Sequence, residues 1–319
     1  MLILLLTLCF IFSISTVFAT DINTVNPEYN DFQDNQNTND FSLEKMSVSK
    51  KSGFWDFFNF GGDKYGYYVW ATDMYDVDFD KLSDNGVKYI FLNSFAFTEY
   101  GQRDVLDWIK EANEHGIEVH VWMQIFNTGN WISPLKNGTP DTQYFNYKIE
   151  EAKYYAGLDE VSGIQIDYIR FEGNAYEYEN GTKAINQFVE SFSKSVREVN
   201  PDLTISATVM PETDKDEYFY GQDIPTISKY VDAIVPMIYK GNYEQNSTWI
   251  ENTTEWFVKN SGDAEVWCGL QTYESDNNIT DLPANELMKD ADKCFNSGSD
   301  KVIFFRWGMN EELDNKKLN

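Results

Sequence analysis

Histidine and cysteine are scarce in this chain of 319 residues, which has 2 His and 3 Cys. His115 falls in a predicted helix and His120 inside a predicted strand, so a zinc site built on histidine ligands is not expected. Cys9 lies in an apolar N-terminal segment. Only Cys268 and Cys294 remain, and at most one disulfide can form between them.

Basic residues are also few, since 25 Lys and Arg stand against 52 Asp and Glu and give a formal net charge of −27. A surface of this sign repels phosphate backbones, so neither nucleic-acid binding nor charge-driven docking on anionic lipid is expected. The chain also lacks the Gly-x-Ser-x-Gly elbow of serine hydrolases, the Gly-x-x-x-x-Gly-Lys-[Ser/Thr] phosphate loop and an EF-hand loop. We expect a monomer with no cofactor and no metal site, although the many aspartates leave a calcium ion open.

Residues 2–19 are continuously apolar or small and end in Val17-Phe18-Ala19. This pattern predicts a secretory signal peptide over residues 1–19. No Lys or Arg precedes the apolar run, and the run is nearly long enough to span a bilayer, so an uncleaved membrane anchor remains the alternative. Residues 20–50 are rich in Asn, Asp, Ser and Thr and predict a flexible polar tether, which leaves 51–319 for the catalytic domain.

Five Asn-x-[Ser/Thr] sequons favour export, although the motif also arises by chance in Asn-rich chains. They begin at Asn137, Asn180, Asn246, Asn252 and Asn278. Together with the N-terminal segment they predict a secreted or cell-surface protein.

From residue 65 onward, short β-rich runs alternate with amphipathic stretches of helical length. We predict strands at 65–72, 88–95, 117–125, 163–169, 203–210, 232–239, 265–273 and 301–307. We predict helices at 77–85, 102–115, 142–156, 183–199, 224–230, 247–260 and 284–297. Eight such units predict an α/β fold, a single (β/α)8 TIM barrel, and no Gly-rich phosphate loop supports the alternative of an open doubly wound sheet.

Side chains alternate along a strand, so parity separates residues that line the barrel from those that face the helices. The apolar set Ile205, Ala207 and Val209 predicts that Glu212 points toward the barrel axis, and Ile164 and Ile166 predict the same for Asp167. Barrel active sites lie where the strands end. The candidates at those ends are Asp73, Asn93, Gln124, Asp167, Glu212, Tyr239, Gln271, Tyr273 and either Arg306 or Trp307.

Two of the strands carry recognisable motifs, Gly-Ile-Gln-Ile-Asp-Tyr-Ile-Arg-Phe at 163–171 and Val-Asp-Ala-Ile-Val-Pro-Met-Ile-Tyr at 231–239. At these residues the chain resembles uncharacterised glycoside hydrolase barrels that are loosely related to the alpha-amylase-like and chitinase-like superfamilies. The resemblance implies a sugar-polymer hydrolase with Asp167 as nucleophile. It departs from the pattern at Ile169, where chitinase-like proteins have Glu, and at Glu172, where many relatives have Pro.

Glycosidic cleavage needs one ionised carboxylate and one protonated carboxyl group. We expect Asp167 to be the nucleophile and Glu212 the general acid/base, with Glu172 and Glu274 as rivals for the second role. We expect eight other residues to bind substrate: Asp73, Asn93, Gln124, Arg170, Glu172, Tyr239, Gln271 and Trp307. The predicted substrate is a polysaccharide or cell-wall glycan.

Two other functions remain open at this point. A barrel that binds or adheres to carbohydrate without cleaving it would have the same fold, because fold does not fix function. A cell-wall transglycosidase would use the same carboxyl groups. The state of Cys268 and Cys294 is open as well, since a strand-to-helix disulfide and two buried thiols fit the pattern equally.

Overall fold

The computed structural model describes residues 64–318, and within them eight parallel strands close into a barrel. Neighbours in chain order pair with each other, and the ring closes where the first strand pairs with the last through Tyr65 and Val302. The strands are β1 (Tyr65–Val69), β2 (Val87–Asn93), β3 (Glu118–Gln124), β4 (Gly163–Asp167), β5 (Thr204–Val209), β6 (Ala233–Pro236), β7 (Glu265–Gln271) and β8 (Lys301–Phe305). The predicted single (β/α)8 barrel is confirmed.

Helices surround the ring, and each of the five long ones starts and ends within two residues of its predicted position. The helices are α1 (Phe79–Asp84), α2 (Phe95–Glu99), α3 (Gln102–Glu114), α4 (Thr142–Ala156), α5 (Gly181–Val199), α6 (Asp216–Tyr220), α7 (Ile224–Ile227), α8 (Ser247–Asn260), α9 (Ala284–Asn296) and α10 (Glu311–Asp314). Short 3-10 turns lie at Ala71–Asp76, Ala175–Glu177 and Thr213–Lys215. Small hairpins pair Leu135–Lys136 with Thr139–Pro140 and Tyr273–Ser275 with Asn278–Asp281.

The buried apolar side chains form two separate clusters, one between the strands and the helices and one inside the ring. On β5, Ile205, Ala207 and Val209 belong to the core that the strands share with the helices. The alternate residue Thr208 points into the barrel, where its hydroxyl contacts the hydroxyl of Tyr68 on β1 at 3.2 Å. The parity expected from the sequence therefore holds on this strand.

The barrel interior is filled by side chains. A separate buried cluster inside the ring contains Tyr68, Phe91, Trp122, Ala233, Val235, Trp267 and Ile303. Large aromatic rings dominate it, so this interior is a packed core and not a channel. Only the ends of the ring leave room for other molecules.

Local sequence explains why the helices form where they do. Along α5, apolar residues recur every three or four positions and are all buried, at Ile185, Phe188, Phe192 and Val196. The helices α4 and α8 begin at capping side chains, because Asp141 accepts the amide of Tyr144 and Asn246 accepts those of Thr248 and Trp249.

The predicted signal peptide or anchor at 1–19 and the tether at 20–50 lie outside the described residues. Within residues 64–318, no helix is both long enough and apolar enough to cross a membrane. Cys268 on β7 and Cys294 on α9 are both buried in the outer core as free thiols. The cysteines thus follow the second of the two alternatives left open by the sequence.

The N-terminal end of the barrel is closed around His120. This side chain is fully buried, and its ring lies 5.1 Å from Phe91 and 5.9 Å from Trp267. Burial, together with the charge of Lys301, lowers the pKa of His120 to about 3, so the ring is neutral. A Cβ atom added to Gly163 would lie 2.4 Å from Nδ1 of this ring.

Because of that close approach, we expect Gly163→Ala to lower the free energy of unfolding by about 1–3 kcal/mol, as overpacked cores do. Urea denaturation measures the loss. The control is Gly157→Ala, because the nearest atoms to an added Cβ there lie at 3.6 Å, an ordinary contact. Equal stabilities for the two variants would contradict the packing around His120.

Candidate active site

Asp167 ends β4 at the C-terminal mouth of the barrel and is 7% exposed. Its Oδ2 accepts a hydrogen bond from Trp122 Nε1 at 3.0 Å, and its Oδ1 accepts the backbone N–H of Tyr168 at 2.7 Å. An ionised carboxylate only accepts hydrogen bonds, so donors on both oxygens suit the charged form. Active sites of such barrels lie at this face, and Asp167 is the centre of the candidate site.

Aromatic rings form the walls around this carboxylate. The ring of Trp122 packs against Tyr68 at 5.1 Å and against Trp70 at 4.9 Å between centroids. Phe305 lies 5.6 Å from Tyr68 and stacks on Tyr239 at 5.7 Å. The walls keep water away from the carboxylate and offer flat faces to a ligand.

Two opposing influences set the protonation of Asp167. Burial raises its pKa above the usual value, because a charge is poorly solvated there. The N–H groups of Trp122 and Tyr168 and the charge of Arg170 lower it and offset part of that rise. The balance leaves the pKa of Asp167 raised.

The backbone bends sharply directly after this carboxylate. Tyr168 has a φ of 54°, in the left-handed region that a bulky residue rarely adopts. The guanidinium of Arg170, which is 8% exposed, lies 5.4 Å from the ring of Tyr168 and 4.6 Å from that of Trp131. These contacts hold the strained residue in place, and strain of this kind is concentrated at functional sites.

The loop after β7 brings a carboxylate to the mouth that the sequence did not predict. Asp276 accepts hydrogen bonds from Gln271 Nε2 at 2.8 Å and from the hydroxyl of Tyr273 at 3.2 Å. Besides burial, the charges of Asp167 and Asp276 both contribute to raising the pKa of Tyr168 to about 12. Both carboxylates also contribute to raising the pKa of Tyr239. Asp276 therefore borders the same space as Asp167.

Asp73 and Arg306 form an ion pair at the junction of β1 and β8. The guanidinium of Arg306 also lies 5.8 Å from the ring of Trp70. Trp307, the alternative to Arg306 at this position, turns outward and packs edge-on against Tyr67 at 5.6 Å in the outer core. Arg306 is thus the member of this pair that reaches the site.

The remaining predicted residues differ in their surroundings. Asn93 is fully buried at the end of β2, and its Nδ2 has no hydrogen-bond partner among the described residues. Gln124 is half-buried and in register with Asp167 on the neighbouring strand. Glu172 and Glu274 are both exposed, and neither contributes to the pKa shift of Asp167.

Glu212 lies in a second polar group beyond the end of β5. Its Oε1 accepts hydrogen bonds from the hydroxyls of Tyr220 at 2.7 Å and Tyr243 at 3.0 Å. The backbone N–H of Glu212 donates to Oδ1 of Asp216, which is fully buried, at 3.0 Å. Glu212 Oε2 and Asp216 Oδ2 are buried without a donor from the described residues.

A shared proton explains the two unpartnered oxygens, because two acceptors satisfy each other only when one of them is protonated. Burial, and then the charge of Glu212, raise the pKa of Asp216 to about 9. Asp216 is therefore protonated at neutral pH, and its hydroxyl can donate a hydrogen bond to Glu212.

The level of Glu212 differs from that of Asp167. The β4–β5 register pairs Ile166 with Ala207, so Asp167 is level with Thr208, four residues before Glu212. Besides burial, the charge of Glu212 raises the pKa of Tyr220, and the charge of Arg170 lowers it. Arg170 also lowers the pKa of Asp167. Arg170 thus lies between the two acidic groups.

No cluster of three or more His, Cys, Asp or Glu residues in 64–318 is arranged to hold a metal ion. His115 lies on the outside of the barrel against Asp80, and His120 is closed off at the opposite end from Asp167.

Residues 107–258, from α3 to α8, match the model of a protein family described as "Putative glycosyl hydrolase domain". The match includes Asp167 and Glu212. It confirms the resemblance to glycoside hydrolase barrels that the two strand motifs predicted. The family match supports glycan hydrolysis as the general activity and makes the chain a glycosidase in class.

Solved structures show the same fold at low sequence identity. The glycoside hydrolase domain of PgaB (BpsB) from Bordetella bronchiseptica is 12% identical with a TM-score of 0.61, covering 77% of this chain and 95% of that one. A chitinase from Chromobacterium violaceum is 13% identical with a TM-score of 0.60, covering 79% and 96%. The spore cortex-lytic enzyme SleL from Bacillus megaterium is 10% identical with a TM-score of 0.54, covering 79% and 72%. No curated protein matches the chain in sequence.

The acidic pair predicts how stability depends on pH. The folded pKa of Asp216, about 9, lies above its ordinary value of 3.8, so the folded state keeps a proton that the unfolded chain releases. Its contribution to stability is full below about 3.8 and is lost as the pH rises toward 9. The loss cannot exceed about 1.4 kcal/mol per pH unit.

Asp216→Asn is neutral at every pH, and its amide can donate to Glu212 Oε2. We therefore expect this variant to gain stability relative to the wild type between pH 5 and pH 8, measured by urea unfolding. Glu217→Gln, an exposed neighbour on α6, serves as the control and should follow the wild type. A constant difference between Asp216→Asn and wild type across this range would rule out the shared proton.

Proposed function

We propose that this protein is an exported glycoside hydrolase that cleaves a polysaccharide or cell-wall glycan with two carboxyl groups. The observation that carries the proposal is Asp167 itself. It is a buried carboxylate at the barrel mouth, with N–H donors on both oxygens and aromatic walls around it. A group in this setting is suited to meet the positive charge that develops at an anomeric carbon.

In the proposed reaction, Asp167 is ionised and attacks or stabilises the oxocarbenium-like carbon. Glu212 is the proton donor: a proton passed to it from Asp216 moves to the glycosidic oxygen as the bond between that oxygen and the anomeric carbon breaks. Water then supplies the new hydroxyl and returns a proton to the pair. The single proton held between Glu212 and Asp216 keeps a proton available near neutral pH. A separation of about 5–5.5 Å between the carboxyl groups corresponds to retention and about 6.5–9.5 Å to inversion.

Asp276 is the competitor for the role of proton donor. The position of Asp276 favours it, because its charge raises the pKa values of Tyr168 and Tyr239, as the charge of Asp167 does. Glu212 is favoured by its partner Asp216, which keeps a proton in the pair. Activity measurements on the two variants decide between them.

Polar atoms without partners are available to sugar hydroxyls beside Asp167. The Nδ2 of Asn93 is a free donor and the Oε1 of Gln271 a free acceptor, and both are buried. Together with the rings of Trp70 and Tyr239 they match the mixture of flat apolar faces and directed polar groups that a sugar presents. We propose that Asp73, Gln124, Arg170 and Glu172 complete the binding surface.

The proposed location is outside the cytoplasm. Of the five sequon asparagines, Asn137, Asn246, Asn252 and Asn278 are exposed and Asn180 is half-buried. Such positions are accessible to modification in an exported chain. The proposed partner is a glycan, with membrane attachment only if residues 1–19 are retained as an anchor.

A barrel that binds glycan without cleaving it is the second candidate. It is favoured by one observation: Glu212 is four residues beyond the level of Asp167 and has its own set of partners. A transglycosidase would use the same residues and would be recognised by its products, since it extends chains instead of shortening them.

Asp167→Asn should lower the rate of glycan cleavage by about 10³-fold while leaving the fold intact, because Asn has nearly the shape of Asp but carries no charge and keeps only one of the two accepting oxygens. Reducing-end release from a panel of purified polysaccharides measures the rate, and circular dichroism measures the fold. Asp107→Asn, an exposed position on α3, is the matched control. Full activity of Asp167→Asn would end the proposal, and binding without cleavage by the wild type would favour the second candidate.

In the same assay, loss of the proton donor slows substrates with poor leaving groups far more than activated aryl glycosides. We expect this pattern for Glu212→Gln. The same pattern for Asp276→Asn, with Glu212→Gln active, would assign the role to Asp276.

Trp122→Phe removes one N–H donor from Asp167 and so raises its pKa further. If Asp167 acts as the ionised group, the acidic limb of the rate profile moves to higher pH, because a greater fraction is protonated and inactive. Trp70→Phe alters the ring that packs against Trp122 but removes no N–H donor from Asp167, and it is the control. Movement of the basic limb instead would show that Asp167 donates a proton and that the two roles are reversed.

A further inference from the structure

Two exposed tyrosines form a stacked pair at the rim of the barrel mouth. Tyr176 lies in the loop after β4 and Tyr218 on α6 after β5, and their rings are 4.8 Å apart and within 9° of parallel. They are 49% and 57% exposed. Large aromatic surface left in contact with water at the rim of a binding site is typical of ligand-binding surfaces.

The pair is connected to Asp167 by a row of ring contacts. Tyr218 contacts Phe219 at 5.0 Å, and Phe219 contacts Tyr220 at 6.1 Å. Tyr220 lies 5.3 Å from the guanidinium of Arg170, which in turn lies 5.4 Å from Tyr168 beside Asp167. Each step is 5.0–6.1 Å, so a continuous row of contacts connects the candidate site to the rim.

Exposure is greatest at the outer end of this row. Arg170 is buried, Tyr168, Phe219 and Tyr220 are half-buried, and Tyr218 is exposed. A row that served only to pack the loops would not need its outermost rings in water. A ligand that extends from Asp167 toward solvent would cover them.

We infer that Tyr176 and Tyr218 form an outer subsite that stacks on a sugar unit remote from the bond at Asp167. The inference rests on the proposed function, and it identifies the substrate as a chain of several sugar units. Rings stack well on the apolar faces of sugars, and each ring of the pair keeps one face that its partner does not cover.

Charge around the pair selects among glycans. Exposed carboxylates flank the two tyrosines at Glu177, Glu179 and Glu217, with Lys215 as a nearby cation. An acidic polysaccharide would meet like charges here, which costs binding free energy. We therefore assign the subsite to a neutral glycan chain.

The experiment uses the full chain with Asp167→Asn as the parent, so that oligosaccharides bind without being cleaved. Calorimetric affinities are measured for neutral oligosaccharides of increasing length, drawn from whichever polymer binds the parent. We expect affinity to rise with length in the parent. Adding Tyr176→Ala or Tyr218→Ala should remove the rise and weaken binding of the longest chain about tenfold.

Tyr147→Ala is the matched control, because Tyr147 is also 57% exposed but lies on α4 in the helical layer. It should bind every length as the parent does. An unchanged length dependence in the Tyr176 and Tyr218 variants would overturn the inference, as would no length dependence in the parent. A change in oligomeric state on mutation, or tighter binding of an anionic polymer, would also overturn it. If the wild type cleaves nothing but the length dependence behaves as expected, the proposed activity fails and the subsite stands.

Discussion

A closed ring of parallel strands gives every inward-pointing side chain a fixed depth along one axis. Rings such as Trp122 and Trp267 and hydrogen-bonded polar groups such as Thr208 fill the interior of this barrel, so the mouth is where a carboxylate can meet a ligand. Asp167 is the last residue of β4 and is held at that mouth. This position accounts for the aromatic walls around Asp167, for the strain at Tyr168 and for the loops that follow the strands.

Burial of a carboxylate in such surroundings is costly, and the protein offsets the cost locally. One donor comes from the neighbouring strand through Trp122 and another from the backbone of Tyr168, whose left-handed conformation directs its N–H at Asp167. Arg170 adds a positive charge nearby. A raised pKa on a buried carboxyl group beside a specific cation is common at active sites, and it supports the role proposed for Asp167.

The acidic groups around the mouth differ in their hydrogen bonds, their protonation and their exposure. Asp167 is held by N–H donors, Asp216 is kept protonated by burial and by the charge of Glu212, and Asp276 remains exposed on its hairpin. In a chain with a net charge of −27, protonation of Asp216 relieves the repulsion between it and the neighbouring Glu212. It also produces carboxyl groups in different protonation states, which is what glycosidic cleavage requires.

The amino-acid sequence by itself determined the eight strands, the five long helices and the inward direction of Asp167. These follow from local periodicity, since side chains alternate along a strand and apolar residues recur every three or four positions along a helix. Strand parity has meaning only while the strand continues. β5 ends at Val209, so the parity that directed Glu212 toward the axis no longer applied at residue 212, which lies in a turn against Asp216.

Only the tertiary structure decided how the loops beyond the strands are arranged. Asp276 reaches the mouth because a short hairpin folds back so that Gln271 and Tyr273 hold its carboxylate, and no local pattern marks that contact. Arg306 rather than Trp307 faces the site because the chain turns after β8 ends at Phe305. The tyrosine pair joins residues 42 positions apart in two separate loops. Contacts of this kind depend on the closed ring bringing strand ends together, which periodicity within a single segment does not encode.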